Sequence, residues 1–271
     1  MSQIVSIHSF RGGTGKSNTT ANLATIVAGM GKRVGIVDTD IQSPGIHILF
    51  GLNADKIKLT LNDYLWGRCK IEDCAYDVSP ENTTRAAGNV FLIPSSVKAG
   101  EIARILKDGY NVRLLNDGFR QLIRNLNLDY LFIDTHPGIN EETLLSITIS
   151  NTLIIILRPD RQDFQGTAVT VELARKLKVP KMLLLVNRVL QSLNFDEVRQ
   201  LVEKTYSSPV AGILPNCDEM MKLASSDLFC LRHPDHVLTQ ELRNVANQVL
   251  QEDKKPPSSA SVSPKFRWPG R

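Results

Sequence analysis

The chain has 271 residues, 42% of them apolar and 22% charged, with 32 basic against 28 acidic side chains and a net charge of +4. That length holds one large α/β domain or two small ones, and the apolar share is that of a soluble globular protein able to bury a sizeable core. So small a charge, spread along the chain without a basic arm, gives no signal for nucleic acid or an acidic membrane and names no partner.

Cysteine usage and the N-terminus narrow the setting. Cys69, Cys74, Cys217 and Cys230 show no C-x-x-C spacing and no histidine pair at zinc-finger separation, which disfavours a structural zinc and fits reduced thiols. The sequence runs from Met-Ser-Gln straight into a strand-like stretch, without the basic region and apolar core of a secretory leader. No apolar run reaches the ~18 residues of a membrane helix. A cytoplasmic protein is expected, with peripheral membrane contact left open.

The first β-branched run, residues 4–8, reads as a strand. It leads into Phe10-Arg11-Gly12-Gly13-Thr14-Gly15-Lys16-Ser17, directly ahead of a helical stretch over 17–30. Further strands are predicted at 33–37, 90–93, 130–133, 152–157, 182–186 and 210–214, each an apolar run of the kind buried on both faces. Helices are predicted between them at 116–125, 141–150, 166–177 and 195–205. Strands alternating with helices predict a doubly wound, mostly parallel sheet with helices on both faces, because a parallel crossover needs a helix-length return path. Leu238, Leu242, Val245 and Val249 share one face of a closing helix. Beyond Gln251 the chain is rich in proline, serine and charge, with too little apolar area to offset its ordering entropy. Residues 1–251 are therefore expected to form the domain and 252–271 a disordered tail.

Three polar clusters fall at predicted strand ends. The glycine-rich segment sits between strand and helix, the context a phosphate loop requires. Gly12, Gly13, Thr14 and Gly15 would aim backbone amides at phosphate oxygens beside a helix N-terminus. Lys16 would reach the β- and γ-phosphates, and the Ser17 hydroxyl would coordinate Mg2+. Phe10 stands where the strict motif has glycine, which marks a variant loop. Asp38-Thr39-Asp40 follows the second strand, and Asp134-Thr135-His136-Pro137-Gly138 follows the strand at 130–133. Carboxylates there face the edge where open α/β sheets bind ligands, and with Ser17 they make Asp38 and Asp134 the candidate magnesium ligands.

The loop from Arg11 to Ser17, followed by Asn18-Thr19-Thr20-Ala21-Asn22, resembles the MinD/ParA group of deviant Walker A P-loop ATPases, of the SIMIBI type. Asp38-x-Asp40 looks like its switch I, Asp134 to Gly138 like its switch II, and Asn187-Arg188 with Pro215 like its adenine-contacting residues. Ile213-Leu214-Pro215 and Leu223-Ala224-Ser225 fit the MinD branch. The resemblance implies ATP and Mg2+ as cofactors, Asn18 among the nucleotide contacts, and Asp40 as the residue positioning the attacking water. It also implies a homodimer that sandwiches two nucleotides, with hydrolysis releasing it from a partner, a membrane or the nucleoid. The chain departs from the family at the signature lysine, which is Arg11 here, and at the tail, which has no obvious amphipathic membrane helix. Lys265-Phe266-Arg267-Trp268 is the part of the tail suited to a lipid or partner contact, and a frayed terminus is the plainer reading. A different class is kept beside the ATPase: an ATP-dependent dimeric adaptor with little turnover, which Arg11 keeps open.

Overall fold

A computed structural model of the protein describes residues 2–80 and 88–251. The expected tail, 252–271, lies outside the described residues.

In chain order the elements are β1 (Gln3–His8), α1 (Lys16–Gly29), β2 (Val34–Asp38), α2 (Ile46–Leu49), α3 (Leu61–Leu65), β3 (Tyr76–Asp77) and β4 (Val90–Ile93). There follow α4 (Ala99–Asp108), α5 (Arg113–Asn125), β5 (Tyr130–Asp134), α6 (Glu141–Ile149), β6 (Thr152–Leu157) and α7 (Arg161–Lys176). The last are β7 (Lys181–Val189), α8 (Phe195–Tyr206), β8 (Val210–Pro215), α9 (Asp218–Leu223), α10 (Phe229–Arg232) and α11 (Val237–Leu250). The strands form one eight-stranded sheet in the order β3-β4-β2-β5-β1-β6-β7-β8. Every pairing is parallel except that of β3 with β4.

Period-two alternation along largely apolar strands gives the sheet a core on each face. Val5, Ile7, Tyr130, Phe132, Ile154 and Ile156 pack toward α1, α10 and α11. The intervening residues face the other way: Leu131 and Ile133 pack toward α3 and α5, and Leu153, Ile155 and Leu157 toward α7 and α8. Burial on both faces sends most polar side chains to the strand ends; Ser6, inside β1, is buried and donates to the Ser146 carbonyl at 3.1 Å.

Sequence and structure differ where local signals are weak. Helix α7 begins at Arg161 rather than 166, because the Asp160 carboxylate accepts a hydrogen bond from the Asp163 amide at 2.9 Å and caps the helix earlier. Strand β7 continues to Val189, carrying Asn187 and Arg188 beyond the predicted end. The two-residue β3, the short helices α2, α3, α9 and α10, and the amphipathic α4 escape periodicity through their length or their missing caps.

The chain moves outward from β1 to β2 on one side and from β5 to β6 on the other, crossing β1. The carboxyl ends of β1, β2 and β5 therefore border the crevice at which such sheets bind ligands.

Candidate functional site

The loop after β1 is shaped by two glycines. Gly13 has φ +74° and Gly15, the residue before α1, has φ +96°, both in the left-handed region. At Gly15 the tight fit adds to the conformational demand, since a Cβ there would stand 2.5 Å from Asn187 Nδ2. That amide donates to the Thr14 carbonyl at 2.7 Å and ties the loop to β7. Helix α1 has no side-chain cap and no acidic residue in its first turn, so its leading amides and dipole face the loop as an anion site. Gly15→Ala is expected to weaken nucleotide binding and lower the melting temperature together, since the left-handed backbone alone costs ~1–2 kcal/mol. Thermal scans with and without nucleotide measure both.

Behind the loop lies a buried charge cluster. Asp38 and Asp134 are register partners on β2 and β5, and Ile7 of β1 pairs with Asp134 on the other side. Both carboxyls are fully buried, and Lys16 is 7% exposed. Burial pushes the Asp134 carboxyl up to about 6, against the opposing pull of the Ser17 hydroxyl and the Lys16 ammonium. Asp38 is raised well above the usual range, first by burial and then by the charges of Asp134 and Asp40. Burial lowers the Lys16 amine, and the three aspartates hold it up.

The donor set fits a hard divalent cation. Asp38 Oδ2 and Asp134 Oδ2 are buried without a hydrogen-bond partner among the described residues, and the Ser17 hydroxyl is close enough to the Asp134 carboxyl to draw its pKa down. Two orphaned carboxylate oxygens and a hydroxyl are oxygen ligands of the kind Mg2+ takes, and its charge would offset their desolvation. The Thr20 hydroxyl lies 3.2 Å from Asp134 Oδ1 and 3.0 Å from the Lys16 carbonyl, sharing its one proton between them, and holds α1 against β5.

Asp40 stands just past β2. Its Oδ1 accepts from His136 Nδ1 at 2.7 Å and from the Ser43 amide at 3.2 Å, while its own amide donates to Asp38 Oδ1 at 3.1 Å. Thr39 donates to the Asp134 carbonyl through both amide and hydroxyl, each at 2.9 Å, and locks the two polar segments together.

Beside the loop opens a cavity of about 290 Å³ lined by Gly15, Asn18, Asn22, Asn187, Arg188, Pro215, Met220 and Met221, among others. The structure thus brings Asn187, Arg188 and Pro215 next to Gly15 and Asn18 from elements far apart in sequence. Arg188 adopts φ +57°, a left-handed backbone at the end of β7 that marks a constrained position. Met220 and Met221 were missed by the sequence reading: α9 is only six residues long, and a methionine pair carries no local signal for a cavity wall.

Arg11 does not point to the cavity. Its guanidinium donates to Gln162 Oε1 and lies 3.9 Å from Asp163 Oδ1, both on α7. The Phe10 ring packs over Gly166 of the same helix, where any Cβ would collide with it. The aromatic residue at the motif's glycine position is thus accommodated by a glycine across the sheet. Gln162 and Gly166 had no signature by which the sequence pointed to them.

Cys217, Glu219 and His236 bring one potential ligand atom each within 4.8 Å of one another at the far wall. His236 Nδ1, however, accepts from the Leu238 amide at 3.1 Å, which places the ring proton on Nε2, the nitrogen facing the other two. In that tautomer the imidazole meets them as a donor, not as a ligand.

Among the described residues no helix is long and apolar enough to cross a membrane.

Comparison with known proteins agrees with this geometry. The profile of a family described as an AAA domain matches residues 2–183. An uncharacterized ATP-binding protein of Methanocaldococcus jannaschii is 28% identical over 251 residues, covering 92% of this chain and 88% of its own. The septum site-determining protein MinD of Bacillus subtilis is 26% identical over 261 residues, covering 93% and 90%. Among solved structures, MinD of Pyrococcus horikoshii complexed with Mg-ADP superposes with a TM-score of 0.78 at 22% identity, covering 93% of this chain and 97% of that one. At that identity the likeness speaks to the fold. With a family profile matching more than half of its length, relatives along nearly all of it and a phosphate loop at the switch point of the sheet, the chain belongs to the MinD/ParA-like P-loop ATPases.

Proposed function

We propose that the protein binds ATP with Mg2+, pairs with a second copy as a nucleotide-sandwich homodimer, and hydrolyses ATP slowly to switch its hold on a protein partner or surface. The observation that carries this reading is the convergence of Lys16, Asp38, Asp40 and Asp134 at one sheet edge, beside a cavity reached by Asn187 and Pro215. Residues 1–251 act as the ATPase domain, with 252–271 as an appended tail.

Gly12 to Gly15 present their amides to the phosphates, and Lys16 neutralises the terminal ones. Ser17, Asp38 and Asp134 hold Mg2+, which when bound neutralises charge developing on the phosphates. Asn18, Asn187, Arg188 and Pro215 hold the base and ribose, and Asp40 orients the attacking water. A role in intracellular positioning or partitioning is supported by the Bacillus subtilis relative, whose name places it at septum-site determination.

Asp40→Ala is expected to leave nucleotide affinity within about twofold of wild type and to slow turnover about 10²–10⁴-fold, because water positioning acts in the transition state. Steady-state phosphate release beside a fluorescent-nucleotide titration measures the two quantities. Unchanged turnover would move the role to another carboxylate, Asp38 first. The adaptor reading, ATP-dependent dimerisation with little turnover, is favoured by one observation, the engagement of Arg11 on α7. Negligible phosphate release with lipid, DNA or candidate partners, in a protein that still dimerises with ATP, would establish it.

A further inference from the structure

We propose that His136 is a positioning residue for Asp40, setting the orientation of its carboxylate. The inference rests on the reading of Asp40 as the carboxylate that orients the attacking water, and it adds a residue that no phosphate-loop pattern contains.

The geometry is specific at both ends. The His136 Nδ1–H donates to Asp40 Oδ1 at 2.7 Å, the short separation of a charge-assisted hydrogen bond. The Ser43 amide reaches the same oxygen at 3.2 Å, and among the described residues Oδ2 accepts no hydrogen bond. The carboxylate is thus held through one oxygen and open through the other, as a group that must accept from a water requires. The pair is only partly exposed, 22% for the His136 side chain and 14% for that of Asp40, so solvent weakens the bond little.

The imidazole is itself held in place. Pro137 confines the His136 backbone to extended conformations, and Gly138, at φ +83°, donates its amide to the Ser9 carbonyl at 3.2 Å. That bond fastens the segment carrying His136 to the start of the phosphate loop. Without the ring, Asp40 would keep only the longer Ser43 hydrogen bond, with the Lys16 ammonium pulling on its charge and those of Asp38 and Asp134 opposing it, and nothing would fix its orientation as closely.

The test separates orientation from folding and from the parent reading. In mildly alkaline buffer, imidazole nitrogen spectra of the nucleotide-free protein are expected to show His136 as the Nδ1–H tautomer, reverting to the Nε2–H form in Asp40→Ala. An Nε2–H tautomer in the wild type overturns the inference whatever the turnover. In kinetics, His136→Ala is expected to lower kcat about 10- to 100-fold with nucleotide affinity unchanged, the loss of one hydrogen bond to a charged group. In an Asp40→Ala background the same change is expected to cost less than about twofold, since its effect passes through Asp40. His136→Asn, whose Nδ2–H stands near the lost Nδ1–H, is expected to recover most of kcat. An equal loss in both backgrounds, or a His136→Asn variant as slow as His136→Ala, overturns the positioning role. Should the wild type pair correctly in the spectra yet release no phosphate, the hydrolysis reading fails and this one with it, while the hydrogen bond itself stands.

Discussion

Lys16→Ala is expected to bind nucleotide at least about 10²-fold more weakly than the wild type, the loss that follows when one partner of a desolvated charge pair is removed. Lys16 is 7% exposed, and its ammonium feels the charges of Asp134, Asp40 and Asp38. Removing it leaves the phosphates without a cation and the aspartates without a counter-charge. The free protein escapes part of the second penalty, because burial raises the Asp38 carboxyl well above the usual range and that of Asp134 to about 6, which makes protonating them less costly. Folding is therefore expected to suffer less than binding. Fluorescent-nucleotide titration reads the affinity, thermal denaturation reads the fold, and wild-type affinity would remove the phosphate-loop assignment.

Arg11→Ala is expected to slow hydrolysis ~10³–10⁵-fold and weaken ATP-driven dimerisation while sparing monomeric binding, if the guanidinium reaches the partner's phosphates as an arginine finger. Its present engagement does not oppose this. Asp163 is already held by Arg158, whose Nε donates to it at 2.9 Å and whose amide donates at 3.0 Å, so the 3.9 Å approach of the half-exposed Arg11 adds an ion pair of ~0–1 kcal/mol. Leaving α7 costs little beside the charge that a phosphate offers. Arg11→Lys is expected to keep dimerisation but lose the bidentate geometry. Light scattering with ATP and magnesium compares the three proteins; if all stay monomeric while binding ATP, the sandwich mechanism is excluded.

The sheet was legible because strands buried on both faces announce themselves as continuous apolar runs, as at Thr152–Leu157. The phosphate loop was legible because its glycines, lysine and serine are contiguous and stand between strand and helix. What could not be read depends on residues distant in sequence. Arg11 meets Gln162 at a separation of 151 residues, and His136 meets Asp40 at 96; neither pair has a periodicity to betray it. Met220 and Met221 enter the cavity from a helix too short to form by propensity alone. Where tertiary packing rather than local pattern decides, one sequence offers the parts without their pairing.

Phe10 over Gly166 and Arg11 against Gln162 attach two consecutive residues of the phosphate loop to one helix on the opposite side of the sheet. No residue of α7 is among those lining the cavity beside Gly15, yet the helix packs directly against the Phe10 ring. The helix also presents Val169, half exposed, on its outer surface. Through Phe10, the loop beside the cavity and the outer surface of α7 are thus linked by one helix. A methyl group added at position 166 would press on Phe10 and, through it, change the shape of a loop whose neighbouring cavity the helix does not line.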